Sequence, residues 1–190
     1  MIKVLKRDNS KEDLDIEKLH KVVFYACEGI AGVSASEVEI NSKMQFYDGI
    51  TTAEIQETLI KSAADLISEE TPNYQWVAGR LINYHLRKQV YGQFDPKDLL
   101  DITTENVNSG FYDKEILSQY TAKEFKTLNK AIKHKRDNTL SYVAMEQFRG
   151  KYLVQNRVTQ QIFETPQIAY MLIAMTLFHD YPKDSRLKWV

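Results

Sequence analysis

Apolar residues recur with two different spacings along this chain, and the changes of spacing mark where elements begin and end. At the N-terminus Ile2, Val4 and Leu14 flank an Asp8-Asn9 pair that tolerates positive φ, which predicts a short hairpin over residues 2–14. From Asp15 the positions Ile16, Leu19, Val23, Ala26, Cys27 and Ile30 recur every three or four residues. That spacing predicts an amphipathic helix with Asp15 as N-cap and Gly32 as its end. Three further helix starts follow. Ser34 with Glu37 and Thr51 with Glu54 have capping-box spacing, and Thr71-Pro72 puts proline at a first helical position. Residues 1–92 therefore read as a hairpin capping a four-helix bundle.

The stretch Tyr91-Gly92-Gln93-Phe94-Asp95-Pro96 interrupts the pattern and divides the chain into 1–92 and 93–190. Helical spacing resumes over Asp98–Asn108, around Lys114–Tyr120, and from the capping box of Thr121 with Glu124 to about Lys135. Tyr152-Leu153-Val154 and Gln161-Ile162-Phe163 bracket a polar turn like the strands of a second hairpin. Thr165-Pro166 then opens a helix, QIAYMLIAMTLF, that is apolar on every face and so is expected to be buried all round. Few apolar segments in the second half are available to surround it. That half reads as incomplete, packing on another chain or on further sequence. The whole chain is mainly α.

Composition changes this picture little. Hydrophobic residues make up 43% and charged residues 27% of 190, as in a globular protein, and 25 basic against 26 acidic residues leave a net charge of -1. No global field draws the chain to nucleic acid or an anionic membrane, so neither is an expected partner. The N-terminus has no apolar signal core and no stretch is long enough to span a bilayer. One cysteine cannot form an internal disulfide, a multi-cysteine zinc site or a dithiol redox pair, which fits a reducing, cytoplasmic location. His20, His85, His134 and His179 show no metal spacing and read as surface or capping residues.

Local charge is more informative. Lys6-Arg7-Asp8-Asn9 on the hairpin, Glu12, Lys18 and the pair Arg87-Lys88 at the end of the fourth helix gather cations that could hold a triphosphate through charge-assisted bonds. Scattered lysines and arginines on a helical domain are more often solvated face residues.

The residues themselves carry a resemblance. KRDNSKEDLDIEKL resembles the hairpin-and-helix signature of the ATP-cone, and QFYDGITTAEIQETLIKSAADLIS and PNYQWVAGRLINYHLRKQVYGQF resemble the rest of that domain as it occurs in class I ribonucleotide reductase large subunits. KHKRDNTLSY, RGKYLVQNRVTQQIFETPQ and YPKDSRLKWV resemble the segment that follows the cone in those subunits. Two departures stand out: Asn9 replaces a usual glycine in the first hairpin and Gln160 one in the second.

The resemblance implies an ATP-cone over 1–92, followed over 93–190 by the helical N-terminal segment of the reductase barrel domain. It also implies an overall-activity site that binds ATP as activator or dATP as inhibitor, with Mg2+. Carried over position by position, that site comprises Lys6, Arg7, Glu12, Asp13, Leu14, Asp15, Ile16, Glu17, Lys18, Thr52 and Lys88. Lys6, Lys18 and Lys88 would meet phosphates, Thr52 would offer a hydroxyl near the base, and Glu12 and Asp15 would accept from base or ribose. For Asp15, N-capping and ligand contact remain equal alternatives, and for Phe46 and Tyr47 core packing is favoured over base stacking. The implied partners are the remaining C-terminal part of the large subunit, a radical-generating small subunit, and other copies through the cone.

The parent reaction would reduce ribonucleoside diphosphates for DNA synthesis with a thiyl radical and a thiol pair. Cys27 lies on the apolar stripe of the first helix and reads as core. No catalytic residue is assigned, and the chain alone is expected to be inactive. The alternative is a free-standing nucleotide-sensing module that acts on a separate partner. A repressor family that also carries ATP-cones has a multi-cysteine zinc ribbon, which a single cysteine cannot make.

Overall fold

The computed structural model describes residues 2–190 and opens on the expected hairpin. Strands β1 (Lys3–Leu5) and β2 (Lys11–Asp13) pair antiparallel, with Val4 opposite Glu12. The turn is closed by Lys6 N–H to Ser10 O (2.9 Å) and Asn9 N–H to Lys6 O (3.0 Å), and Asn9 adopts the left-handed φ of 64° that this loop requires. The Asp8 carboxylate accepts from the Ser10 N–H (3.0 Å) and hydroxyl (2.6 Å), which fixes the loop from within. A third strand, β3 (Ile50–Thr51), joins β1 in parallel to give the order β2-β1-β3. Asp48 and Gly49 place it: Asp48 Oδ1 accepts the Lys3 N–H (2.7 Å), and Gly49, at φ 87°, donates its own N–H to Lys3 O (2.8 Å).

The first helices are α1 (Ile16–Cys27), α2 (Ala35–Lys43), α3 (Thr52–Ala64) and α4 (Tyr74–Tyr91). They are followed by α5 (Leu99–Asn108), α6 (Glu115–Gln119), α7 (Ala122–Ala131), α8 (Tyr142–Gln147) and α9 (Pro166–Phe178). Both capping boxes at Thr51/Glu54 and Thr121/Glu124 form in full. Four boundaries differ from the sequence pattern. Helix α1 stops at Cys27, five residues before Gly32, because Gly29 already turns the chain at φ 70°. Ser34 caps α2 without a side-chain bond, and the capping box does not close because the Tyr74 hydroxyl accepts the Ser34 N–H (2.9 Å) and itself donates to Glu37. Pro72 lies in a turn ahead of α4 rather than in its first position, and α7 ends at Ala131.

Contacts divide the chain into two units. The first runs through His85 and includes Asn138–Gln147; the second holds Leu86–Asp137 and Phe148–Val190. In the first, Val4 and Ile50 of the sheet are buried, as are Leu19, Val23 and Ala26 of α1, Val38 of α2, Leu59 and Ile60 of α3, and Val77, Ala78 and Leu81 of α4. Helix α1 packs on α2, and α2 on α3. The Asn138 amide donates to the Tyr25 hydroxyl (2.9 Å) while its oxygen accepts from Asn83 (2.6 Å), which ties the returning segment to α1 and α4. Gly79 of α4 faces the same segment so closely that a Cβ there would collide with the Leu140 carbonyl oxygen.

The second unit has its own core, in which Leu99, Ile102, Tyr120, Phe125, Leu128, Ile168, Leu172 and Met175 cluster. Arg186 is buried against this core. Its guanidinium lies over the Tyr120 ring (4.1 Å), bonds Glu124 (2.7 and 2.8 Å) and donates to the carbonyls of Gln119 and His179. The buried Glu164 carboxylate accepts from the Tyr112 hydroxyl (2.6 Å) and the Val154 N–H (2.8 Å). The second hairpin reduces to one bridge, Gln155 to Ile162, preceded by a single π turn over Phe148–Tyr152. Gln160 sits at φ 57°, a left-handed position like that of Asn9. Helix α9 is not buried all round: Ile168, Met171, Leu172 and Met175 are covered, but Tyr170, Ile173 and Leu177 face solvent. Among the described residues no helix is long and apolar enough to cross a membrane.

Candidate functional site

The sheet sorts the hairpin charges by face. Side chains alternate along a strand, so Lys6 and Glu12 share the side of Val4 and Ile50, which is turned to the helices. Lys3 and Asp13 occupy the outer side. Each face carries one cross-strand ion pair: Lys6 Nζ lies 2.6 Å from Glu12 Oε2, and Lys3 Nζ 2.7 Å from Asp13 Oδ1. The bond to Glu12 raises the Lys6 pKa above its ordinary value. Arg7, which the turn projects, is exposed.

Strand β3 brings in the next member. Its register sets Leu5 beside Thr51, so the residues that follow, Lys6 and Thr52, leave the sheet at the same end. Thr52, half-buried, is the first residue of α3, and the Thr51 capping box fixes the direction in which that helix departs. The other members sit at the opposite end of β1, a strand length of about 10 Å away. There Leu14 donates its N–H to Ile2 O (2.9 Å), Asp15 caps α1 by accepting the Lys18 N–H (3.0 Å), and Ile16, Glu17 and Lys18 form the first turn. The Lys18 ammonium stands 3.4 Å from the second Asp15 oxygen. The Lys18 N–H bond holds the Asp15 carboxyl below the usual range. Capping of α1 is thus realised for Asp15, and its carboxylate stays at the open end of the helix.

Lys88 lies in the last turn of α4, among the residues of the second unit. Its neighbour Arg87 is not available to a ligand. The Arg87 side chain is buried, donates to His134 O (2.9 Å) and covers the Phe94 ring at 5.2 Å, so it belongs to packing and not to the basic cluster. Tyr47 is exposed, with its hydroxyl donating to Glu54 (2.8 Å), and Phe46 is half-buried; the expected core role does not hold for Tyr47. His20 and His179 are a surface and a capping residue, near Glu39 and the Thr176 carbonyl respectively. His85 and His134 instead turn inward, and burial pushes His134 down to about 4. Cys27 is half-buried, and burial pushes its thiol up to about 11.

The starts of α1 and α3 and the cations Lys6 and Lys18, each paired with a carboxylate, lie around one small sheet on a helical domain. Residues 2–89 match the ATP cone domain family, and this part of the chain is an ATP-cone domain. The rest of the match is longer. The chain is 51% identical over 187 residues to ribonucleoside-diphosphate reductase 1 subunit alpha of Escherichia coli, covering 98% of this chain and 25% of that protein. It is 49% identical over the same length to the alpha subunit of Haemophilus influenzae, with the same coverage. The alpha subunit of Helicobacter pylori is 36% identical over 188 residues, covering 98% of this chain and 23% of that protein. The chain is thus homologous to the N-terminal quarter of ribonucleoside-diphosphate reductase alpha subunits and spans about a quarter of their length.

Proposed function

We propose that residues 1–92 bind ATP and dATP as the overall-activity site of a ribonucleoside-diphosphate reductase, and that residues 93–190 form the incomplete N-terminal segment of its catalytic domain. The observation that carries the reading is the parallel pairing of β1 with β3, which brings Thr52 and the start of α3 to the end of the sheet where Lys6 and Arg7 emerge. Lys18 and Asp15 stand a strand length away, a span suited to an extended nucleotide rather than a lone phosphate. In this reading Lys6 and Lys18 neutralise phosphates, Glu12 and Asp15 accept from ribose or base, and Thr52 offers its hydroxyl. Arg7, Asp13, Leu14, Ile16 and Glu17 frame the pocket, and Lys88 joins it on the strength of the resemblance.

Magnesium fits only as part of the ligand. Among the described residues no group of three or more His, Cys, Asp or Glu side chains is placed to hold a metal ion. A Mg2+ ion would be held by phosphate oxygens and water, the way that cation is commonly carried. Reduction of diphosphates would require the remainder of the alpha subunit and a radical-supplying beta subunit, because this sequence holds a single cysteine.

Isothermal titration calorimetry of the purified chain with ATP and with dATP tests the reading. Saturable binding of both at or below millimolar concentration is expected. Absence of heat for either nucleotide up to millimolar concentration would remove the site.

A further inference from the structure

Three side chains of the second unit carry buried polar atoms that meet no protein partner, and their chemistry is complementary. Asp137 lies on the 3-10 turn His134–Thr139, is 0% exposed, and bonds through neither carboxyl oxygen. Arg87 of α4 is 6% exposed; it donates through Nη2 to the His134 carbonyl (2.9 Å), but its Nε–H is unused. His134 Nδ1 is the third such atom. Buried polar groups are nearly always bonded, so an acceptor and a donor held near one another but apart call for an explanation. The charge of Arg87 acts on both Asp137 and His134, yet it closes no bond to the Asp137 carboxyl.

The other groups around Asp137 are already committed. Tyr91 of α4 shares a hydrogen bond with the Thr165 hydroxyl (2.9 Å), so Thr165 gives the start of α9 no side-chain cap. The Gln167 N–H in the first turn of α9 draws on the Asp137 carboxyl without closing a bond to it. Glu164, just ahead of α9, is held by Tyr112 and the Val154 N–H. On the turn itself, burial keeps His134 neutral down to about pH 4, and Arg136 is exposed. Among the described residues Arg87 is therefore the cation placed to answer a charge on Asp137. Burial pushes the Asp137 carboxyl up to about 7, so near neutrality it passes from a neutral form that needs no cation to a charged form that does.

We propose that Arg87 is a proton-gated latch: with Asp137 neutral it covers Phe94 and holds the His134 carbonyl, and with Asp137 ionised it turns its Nε–H to that carboxylate and uncovers Phe94. A charge-assisted bond to a buried carboxylate is stronger than a bond to a neutral carbonyl or a cation–aromatic contact, so the ionised form favours the second position. Phe94, half-buried under the guanidinium at 5.2 Å, belongs to the stretch that connects α4 to α5. The latch thus sets how firmly that connection is held, and it responds to pH around neutrality.

NMR titration of the intact chain from pH 5.5 to 8.5 tests this, with the Asp137 carboxyl carbon and the Arg87 Nε–H followed together and hydroxyl-radical labelling of Phe94 measured at pH 6 and 8. The two resonances should move with one shared midpoint near neutrality, and labelling of Phe94 should rise severalfold at pH 8. Asp137→Asn stays neutral at every pH, so both the Arg87 shift and the Phe94 response should vanish in it. That variant separates the Asp137 proton from every other titrating group; if it does not fold, the shared midpoint in the wild type still decides. Asp137 in one form throughout the range, an Arg87 resonance indifferent to the Asp137 titration, or a Phe94 response that survives in Asp137→Asn would each overturn the proposal. An ordered water serving both groups while Arg87 stays in place would give the second of these results.

Discussion

Lys6 Nζ and Glu12 Oε2 stand 2.6 Å apart on the helix-facing side of the sheet, next to the two buried strand residues Val4 and Ile50. A cation held there is already oriented, and an incoming phosphate needs only to displace or share its carboxylate partner. Lys6→Ala is expected to lower ATP affinity roughly ten- to a hundredfold, the loss of one charge-assisted bond. Its melting temperature should change little, because exposed ion pairs contribute little to stability. Calorimetry and thermal unfolding on one preparation separate the two effects; equal affinity would place the phosphates elsewhere. The same titration on Lys88→Ala tests the assignment that rests on resemblance alone.

Much of this site is visible in the sequence, and the part that is not has a definite cause. Asp8-Asn9, the Asp15 cap and the Thr51/Glu54 box are signals carried by two to four adjacent residues, and each forms as expected. Strand β3 has only two residues, and its partner Val4 is 46 positions away, so no local periodicity can announce it. Competition for a side chain explains another miss: Glu37 has the spacing of a capping residue, but the buried Tyr74 hydroxyl takes its carboxylate. Arg87 illustrates a third cause. Charge patterning cannot tell a solvated arginine from one folded onto Phe94 and the His134 carbonyl.

Gly79 supplies a test of the close approach between α4 and the segment at Leu140. Alanine is ordinarily the better helix residue by about 1 kcal/mol, so an open site would gain from Gly79→Ala. Here the new Cβ would meet the Leu140 carbonyl oxygen, a backbone atom that cannot rotate away. Net destabilisation of about 1–3 kcal/mol is expected, as for overpacked cores. Urea unfolding reads it as a lower midpoint, and a raised midpoint would show that the segment yields freely.

Asp137 and His134 pull stability in opposite directions with pH. Burial raises Asp137 to about 7, against the pull of Arg87, so the folded state holds its proton more tightly than the unfolded chain. Stability from this group is complete below the unfolded value near 4 and is lost as pH rises through the window to about 7. Burial lowers His134 to about 4, so its contribution is complete above the unfolded value near 6.5 and is lost as pH falls towards 4. The two slopes nearly cancel in the wild type. Asp137→Asn removes one of them. The variant should gain on the wild type steadily from pH 4 to 7, reaching on the order of 4 kcal/mol, and the gain should level off above that. Denaturant unfolding of both proteins at pH 4.5 and 8 decides it, and a gain independent of pH would show that Asp137 is ionised throughout.

The thiol of Cys27 bears on catalysis. A pKa pushed up to about 11 leaves only a few thiolates in ten thousand at pH 7.5, roughly a hundredfold fewer than for a free cysteine. Labelling by a disulfide reagent at that pH should therefore be about a hundredfold slower in the native chain than after unfolding. The reduction implied by the relatives needs a thiyl radical and a separate pair of thiols, and this sequence offers one poorly ionised, half-buried sulfur at the last residue of α1. No deoxynucleotide is expected from a labelled ribonucleoside diphosphate when the chain is assayed alone with a beta subunit and reductant. Cys27→Ser should bind ATP as well as the wild type does, since the thiol lies at the far end of α1 from Lys18. Turnover by the chain that disappears in Cys27→Ser would make this cysteine a reacting group and overturn the assignment of the chemistry to the rest of the alpha subunit.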